Sequence, residues 1–124
     1  MELRESAEDY LETILLLSQK TGAVRSKDIV DEMGFSKPSI SVAMKKLREN
    51  ALIHMDDEGY ITLTREGNQV AERVYERHSV LYGWLVSIGI EDQIASTDAC
   101  RMEHIISEET FQGIKKVFEE SKTL

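Results

Sequence analysis

Ser26-Lys27-Asp28-Ile29-Val30-Asp31-Glu32-Met33-Gly34-Phe35-Ser36-Lys37-Pro38-Ser39-Ile40-Ser41 is the stretch that decides the fold. Ser26 is placed to cap a short helix running to Met33. Gly34 is placed to stop it, because glycine takes the left-handed conformation that ends helices at no steric cost. Ser36 opens a second helix as its N-cap. Pro38, the only proline, falls in the first turn, where its missing N–H leaves no bond unmade. Ile40, Met44 and Leu47 repeat at helical spacing and form that helix's inner stripe. Two short helices joined by so tight a turn describe a helix-turn-helix.

Downstream, Leu52-Ile53-His54-Met55 and Tyr60-Ile61-Thr62-Leu63 read as short strands, and the turn Asp56-Asp57-Glu58-Gly59 joins them into a β-hairpin. Upstream, Ser6 to Ser18 reads as a helix with Leu11, Ile14 and Leu15 on its inner side. Ser6 and Asp9 resemble a cap for it, and Gly22 ends it. Thr64 is placed to cap a long helix whose apolar stripe is Val70, Val74, Leu81 and Leu85, with His78 inside the stripe. After a break at Gly89, Glu91 to Ile106 and Ser107 to Glu120 read as two further helices. The expected fold is mainly α: an N-terminal winged helix-turn-helix with a small β-hairpin wing, followed by a helical dimerisation domain. The expected domains are residues 1–65 and 66–124, with the long helix as connector.

Dimerisation is expected from the two last helices. Ile94, Ile105, Ile106, Phe111, Ile114, Val117 and Phe118 are many apolar residues for so small a part, and a two-fold partner would bury them. Packing onto the same chain's long helix is the alternative. At 124 residues the chain has room for one compact domain or two small ones sharing a boundary helix. A hydrophobic fraction of 41% is ordinary for a globular protein and excludes a disordered one. No apolar run approaches the ~20 residues of a membrane helix, and the charged start Met1-Glu2-Leu3-Arg4-Glu5 lacks a signal-peptide core. A single cysteine forms no internal disulfide, so the expected location is the cytoplasm, with no membrane partner.

The second helix of a helix-turn-helix lies in the major groove of double-stranded DNA. The net charge of −8 weighs against that, yet acids and bases balance between Ala23 and Arg65, so the negative excess lies elsewhere. The outward residues of this helix are Lys37, Ser39, Ser41, Val42, Lys45 and Lys46. Small hydroxyls near its start allow close approach to base edges, and lysines farther along reach phosphates. The expected DNA-binding residues are Arg25, Lys27, Lys37, Pro38, Ser39, Ser41, Lys45, Lys46 and Arg48. The wing tip, Asp56, Asp57 and Glu58, is too acidic to add much affinity for phosphate. A helical hairpin that only packs is the plainer alternative, and the order of three helices followed by a hairpin argues against it.

Cys100-Arg101-Met102-Glu103-His104 sets three metal-ligand types at i, i+3 and i+4, on one face of a helix. On a helical wheel Ile94, Ala95, Ala99, Met102, Ile105 and Ile106 form one arc, and Cys100, Glu103 and His104 fall on the opposite, polar arc. Cysteine packs as a small hydrophobe, so its place on a polar face is unusual. Thiolate, carboxylate and imidazole together form a divalent transition-metal set. A solvated face that carries a cysteine is the plain alternative. Asp9 and Glu12 are i, i+3 neighbours on the first helix, where the helix dipole favours carboxylates even without a metal. His78 is inward-facing, a position where a lone histidine is ordinarily a core residue. His54 has no acidic neighbour at ligand spacing and is left out.

Together these residues resemble the diphtheria toxin repressor family of metal-dependent repressors, most closely its short manganese transport regulator branch. The resembling stretches are Glu8-Asp9-Tyr10-Leu11-Glu12 with Ile14-Leu15-Leu16, Ser36-Lys37-Pro38-Ser39-Ile40-Ser41, Gly59 to Gly67, Arg77-His78, and Asp98 to His104, in the family's order. The resemblance implies metal ligands at Asp9, Glu12, His78, Cys100, Glu103 and His104. It also implies a homodimer built by the C-terminal helices and metal-activated binding to a palindromic operator. Longer members carry a third, SH3-like domain, and the resemblance to the short branch leads to the expectation of none here.

Asp9 and Glu12 match the manganese branch, whereas Cys100 matches the iron-responsive branch. Tyr82 and Ser96 stand where the iron branch carries extra ligands. Oxygen-rich ligands suit Mn²⁺ and thiolate favours softer ions. Mn²⁺ is therefore the expected cofactor, Fe²⁺ comes next, and Zn²⁺, Co²⁺ or Cd²⁺ would bind in vitro. The expected function is a metal-dependent transcriptional repressor that senses intracellular Mn²⁺ or Fe²⁺ and controls metal-uptake genes. A winged-helix regulator responding to a small organic ligand is the alternative; it would need an apolar pocket and ignore chelators. No catalytic serine, lysine or glycine-rich phosphate loop stands out, so no enzyme is expected.

Overall fold

The computed structural model describes residues 5–122, and the charged start Met1–Arg4 lies outside them. The elements are α1 (Glu5–Thr21), α2 (Ser26–Met33), α3 (Lys37–Glu49), β1 (Ile53–Met55), β2 (Ile61–Leu63), α4 (Arg65–Ser87), α5 (Asp92–Ile105) and α6 (Glu108–Lys122). This is the expected order: three helices, a hairpin and three more helices. The chain divides into two compact units, one up to Glu72 and the other from Arg73, so the division falls inside α4.

The first unit has an almost wholly apolar interior. Leu11, Ile14, Leu15 and Leu17 of α1 pack with Ile29 of α2, with Ile40, Met44 and Leu47 of α3, and with Ile53 and Ile61 of the hairpin. Ser36 caps α3 as expected, its Oγ accepting the Ser39 N–H at 3.3 Å. Gly34 ends α2 at φ 74°, and its N–H donates to the Val30 carbonyl at 2.9 Å. Two expected caps are corrected. Ser26 is the first helical residue of α2, and Arg25 is its N-cap, with the Asp28 carboxylate accepting the Arg25 N–H at 2.9 Å. Ser6 lies inside α1, which already runs from Glu5, so it caps nothing.

The hairpin pairs Ile53 with Leu63, His54 with Thr62 and Met55 with Ile61. Both strands are one residue shorter than expected: the Leu52 N–H turns back to the Leu47 carbonyl at 2.9 Å and closes the end of α3, and Tyr60 belongs to the turn, its carbonyl accepting the Asp56 N–H at 3.0 Å. The Ile61 N–H also bonds the Val24 carbonyl at 2.7 Å, tying the wing to the segment after α1. At the wing tip the Asp56 carboxylate accepts the N–H groups of Glu58 and Tyr60 at 2.9 and 2.8 Å, so this acid shapes the turn. Thr64 caps α4 by accepting the Gly67 N–H at 3.0 Å while its hydroxyl donates to the Ala51 carbonyl at 2.8 Å. Only glycine fits at 67, since a Cβ there would stand 2.0 Å from the Leu52 carbonyl oxygen.

The second unit is built from the rest of α4 with α5 and α6. Leu81 and Leu85 pack against Ala95 and Ala99, with Trp84, Met102 and Ile114 partly buried around them. The Ser107 Oγ accepts the Thr110 N–H at 3.1 Å and caps α6. The expected apolar arc of α5 is split. Ala95 and Ala99 are buried, but Ile94 and Ile105 are 54% and 75% exposed. Phe111, expected at a dimer interface, is instead buried within the chain.

Candidate metal centre and nucleic-acid face

The buried face of α5 carries Ala95, Ala99 and Glu103, at i, i+4 and i+8. Glu103 is only 2% exposed, so the polar arc expected from the wheel is split: Glu103 is buried, His104 is half-buried and Cys100 is exposed. Its Oε2 lies 2.9 Å from Nδ1 of His78, which α4 presents. Its Oε1 lies 3.3 Å from Nε2 of His104, but out of hydrogen-bond alignment, and is left without a hydrogen-bond partner. A buried carboxylate oxygen in that state costs stability unless a cation or donor meets it.

Cys100, Glu103 and His104 each offer a ligand atom, all within 4.8 Å of one another. Donors about 2.0–2.3 Å from a common ion stand about 3 Å apart when adjacent and about 4–4.6 Å apart when opposite. The spacing and the orphaned oxygen therefore fit a divalent cation. The second unit by itself groups Cys100, Glu103 and His104, and His78 adjoins them through its contact with Glu103. Asp9 and Glu12 lie on α1 in the first unit, both half-buried.

One contributor was missed from the sequence. The Arg77 guanidinium donates to the carbonyls of Glu103 and Ile106 at 3.1 and 3.0 Å and pairs with Glu108 at 3.3 Å. It thereby satisfies the carbonyls at the end of α5 and holds the backbone that carries Glu103. Spacing along one helix cannot reveal an arginine that caps a different helix. Tyr82 and Ser96 border one shallow cavity with Glu91 and Asp92. The Tyr82 hydroxyl donates to the Asp92 carboxylate, and this bond, with lesser desolvation and charge effects, holds the phenol above its ordinary pKa.

In the first unit the outer side of α3 presents Lys37, Pro38, Ser39, Ser41, Lys45, Lys46 and Arg48, all exposed. The Ser39 hydroxyl is engaged with Ser36 at 2.9 Å, which fixes the first turn. The Arg25 guanidinium stacks 4.2 Å over the Tyr60 ring beside the wing tip, and Lys27 is exposed on α2. A helix-turn-helix with a basic outer face thus adjoins a wing, and a separate helical unit holds clustered metal donors.

Known proteins match both parts. The iron dependent repressor N-terminal DNA binding domain matches residues 2–61, and the iron dependent repressor metal binding and dimerisation domain matches residues 64–123. The chain belongs to the iron-dependent repressor family. It is 35% identical over 112 residues to the transcriptional regulator MntR of Escherichia coli O6:H1, covering 90% of this chain and 72% of that protein. It is 26% identical over 122 residues to an uncharacterized HTH-type transcriptional regulator of Methanocaldococcus jannaschii, covering 97% of this chain and 98% of that one. A solved manganese-dependent transcriptional repressor, in complex with manganese, superposes with a TM-score of 0.82 at 27% identity. The match covers 91% of this chain but only 52% of that one, so this chain spans about half its length. As a family member, the protein is a metal-dependent, DNA-binding transcriptional repressor that forms a homodimer; it is not an enzyme. Among the described residues no helix is long and apolar enough to cross a membrane.

Proposed function

We propose that this repressor responds to Mn²⁺, with Fe²⁺ the next effector, through Asp9, Glu12, His78, Cys100, Glu103 and His104. The observation that carries this reading is the buried Glu103 carboxylate, with one oxygen unbonded beside Cys100 and His104. The relatives named for manganese support the choice of metal. So does coordination number: Mn²⁺ favours about six donors, and the helical unit offers four residues. Asp9 and Glu12 complete the set from α1. Zn²⁺, Co²⁺ and Cd²⁺ bind the same donors in vitro.

Arg25, Lys27, Lys37, Pro38, Ser39, Ser41, Lys45, Lys46 and Arg48 contact a palindromic operator in the cytoplasm, at metal-uptake genes. The functional domains are residues 1–65, the reader, and 66–124, the sensor, with α4 as connector. When bound, the cation supplies positive charge that offsets the mutual repulsion of Asp9, Glu12 and Glu103. His78 orients the Glu103 carboxylate, and Arg77 holds the backbone behind it. α1 belongs to the reader and α5 to the dimer unit, so a shared ion couples occupancy to how two readers are held. Coupling of about 1–3 kcal/mol changes operator affinity roughly 5–150-fold, and DNA tightens metal binding by the same factor.

The test is an operator-shift titration with Mn²⁺, Fe²⁺ and Zn²⁺, each repeated with chelator, on the wild type and on Glu103→Ala. The variant loses metal-dependent DNA binding while its circular dichroism spectrum is unchanged. A normal metal response in Glu103→Ala, or operator binding indifferent to chelator, refutes the reading; the second outcome would favour a small organic effector.

A further inference from the structure

The outermost line of α3 runs through Val42 and, at the helix end, Glu49, and not through its cations. Ile40, Met44 and Leu47 are buried. At about 100° per residue, Val42 stands roughly 140–160° around the helix from each of them. It is 56% exposed, among the most exposed large apolar residues in the first unit. Lys45 and Lys46 flank it on either side, and both are exposed. When a helix enters the major groove, its outermost residue reaches the floor and its flanking cations reach the two walls of phosphate.

Valine can form no side-chain hydrogen bond. Set against a base nitrogen, carbonyl or amino group, it would strip water from that group and return nothing. The major-groove edge of DNA carries one apolar group, the C5 methyl of thymine. We infer that Val42 is a specificity-determining residue that reads a thymine methyl at the centre of the α3 footprint. The inference rests on the proposed entry of α3 into the groove. It goes beyond that reading because it names the base read and the atom that reads it.

The test crosses a change in the protein with a change in the DNA. The full chain, loaded with Mn²⁺, is used to enrich duplexes from a random double-stranded pool. Each thymine of the enriched duplex is then replaced singly by deoxyuridine, which lacks only the methyl group, and binding is measured for wild type and Val42→Ala. Val42 is exposed, so the alanine variant keeps its fold, and circular dichroism checks this. One thymine replacement is expected to weaken wild-type binding about fourfold, the transfer free energy of one buried carbon. The same replacement weakens Val42→Ala distinctly less, because the shorter side chain keeps less contact with the methyl.

If every thymine replacement acts equally on both proteins, the inference is overturned while groove entry survives. If the wild type enriches no duplex at all, groove entry and the inference fall together.

Discussion

The two units solve the same packing problem with different residues. In the reader, the buried stripe of α3 is Ile40, Met44 and Leu47. In the sensor, the corresponding stripe of α5 is Ala95, Ala99 and Glu103. The reader closes an apolar core upon itself. The sensor buries a carboxylate with an unmatched oxygen and leaves Val86, Ile88, Ile94, Ile105 and Val117 exposed. A reader must hold one shape in order to fit a groove. A sensor must be incomplete without its effector and its partner copy, or neither could change its state. The difference teaches that polar burial and apolar exposure, which look like faults in folding, mark where function resides.

The largest effect should come from the exposed apolar side of the sensor. If the dimer interface covers Ile105, each copy would contribute about 1.5–3 kcal/mol, and both copies change at once, so Ile105→Asp should shift the protein to monomer in sedimentation. A variant that stays dimeric would show that this isoleucine lies outside the interface. Next comes the reader core: Met44→Ala should cost about 2–5 kcal/mol in urea unfolding, with no rescue by Mn²⁺ beyond what the wild type gains.

Metal binding should sharpen the contrast. Mn²⁺ at a hundred times its dissociation constant adds about 2.7 kcal/mol to the species that binds it. Hydrogen exchange should show the gain in protection greatest in α5, around Glu103, and least in α2. Equal gains in both places would erase the distinction between the units. A smaller effect is expected at the start of α4: Thr64→Ala removes its cap and should cost about 1 kcal/mol by thermal unfolding.

The smallest effect concerns pH. Folding raises the Tyr82 pKa through the Asp92 bond. The stability this bond lends is therefore complete below the ordinary value near 10 and is lost as pH rises through the higher folded value. Tyr82→Phe should flatten only that alkaline limb. A changed stability profile near neutral pH would contradict the assignment.

The reader was legible because its signals are local. Ser36 bonds within its own turn, Gly34 adopts the conformation its missing Cβ permits, and the spacing of Ile40, Met44 and Leu47 marks one helix face. Misreadings were also local: Asp28 wins the cap of α2 because its carboxylate reaches back to the Arg25 N–H, a competition spacing cannot rank. The sensor was half legible. Cys100, Glu103 and His104 were identifiable as donors by type and interval, and the resemblance to known repressors added His78, Asp9 and Glu12.

Residue type and periodicity alone determined the helix-turn-helix, the wing and the chemistry of the donor set, because backbone propensity and ligand spacing act over a few residues. Only tertiary structure decided that Glu103 is buried against His78, that Arg77 secures the end of α5, and that Ile94 and Ile105 face outward while Phe111 faces inward. A helical wheel ranks faces by their own polarity. Which face is covered depends on what α4 and α6 bring against it, and that is set by contacts between segments far apart in the chain.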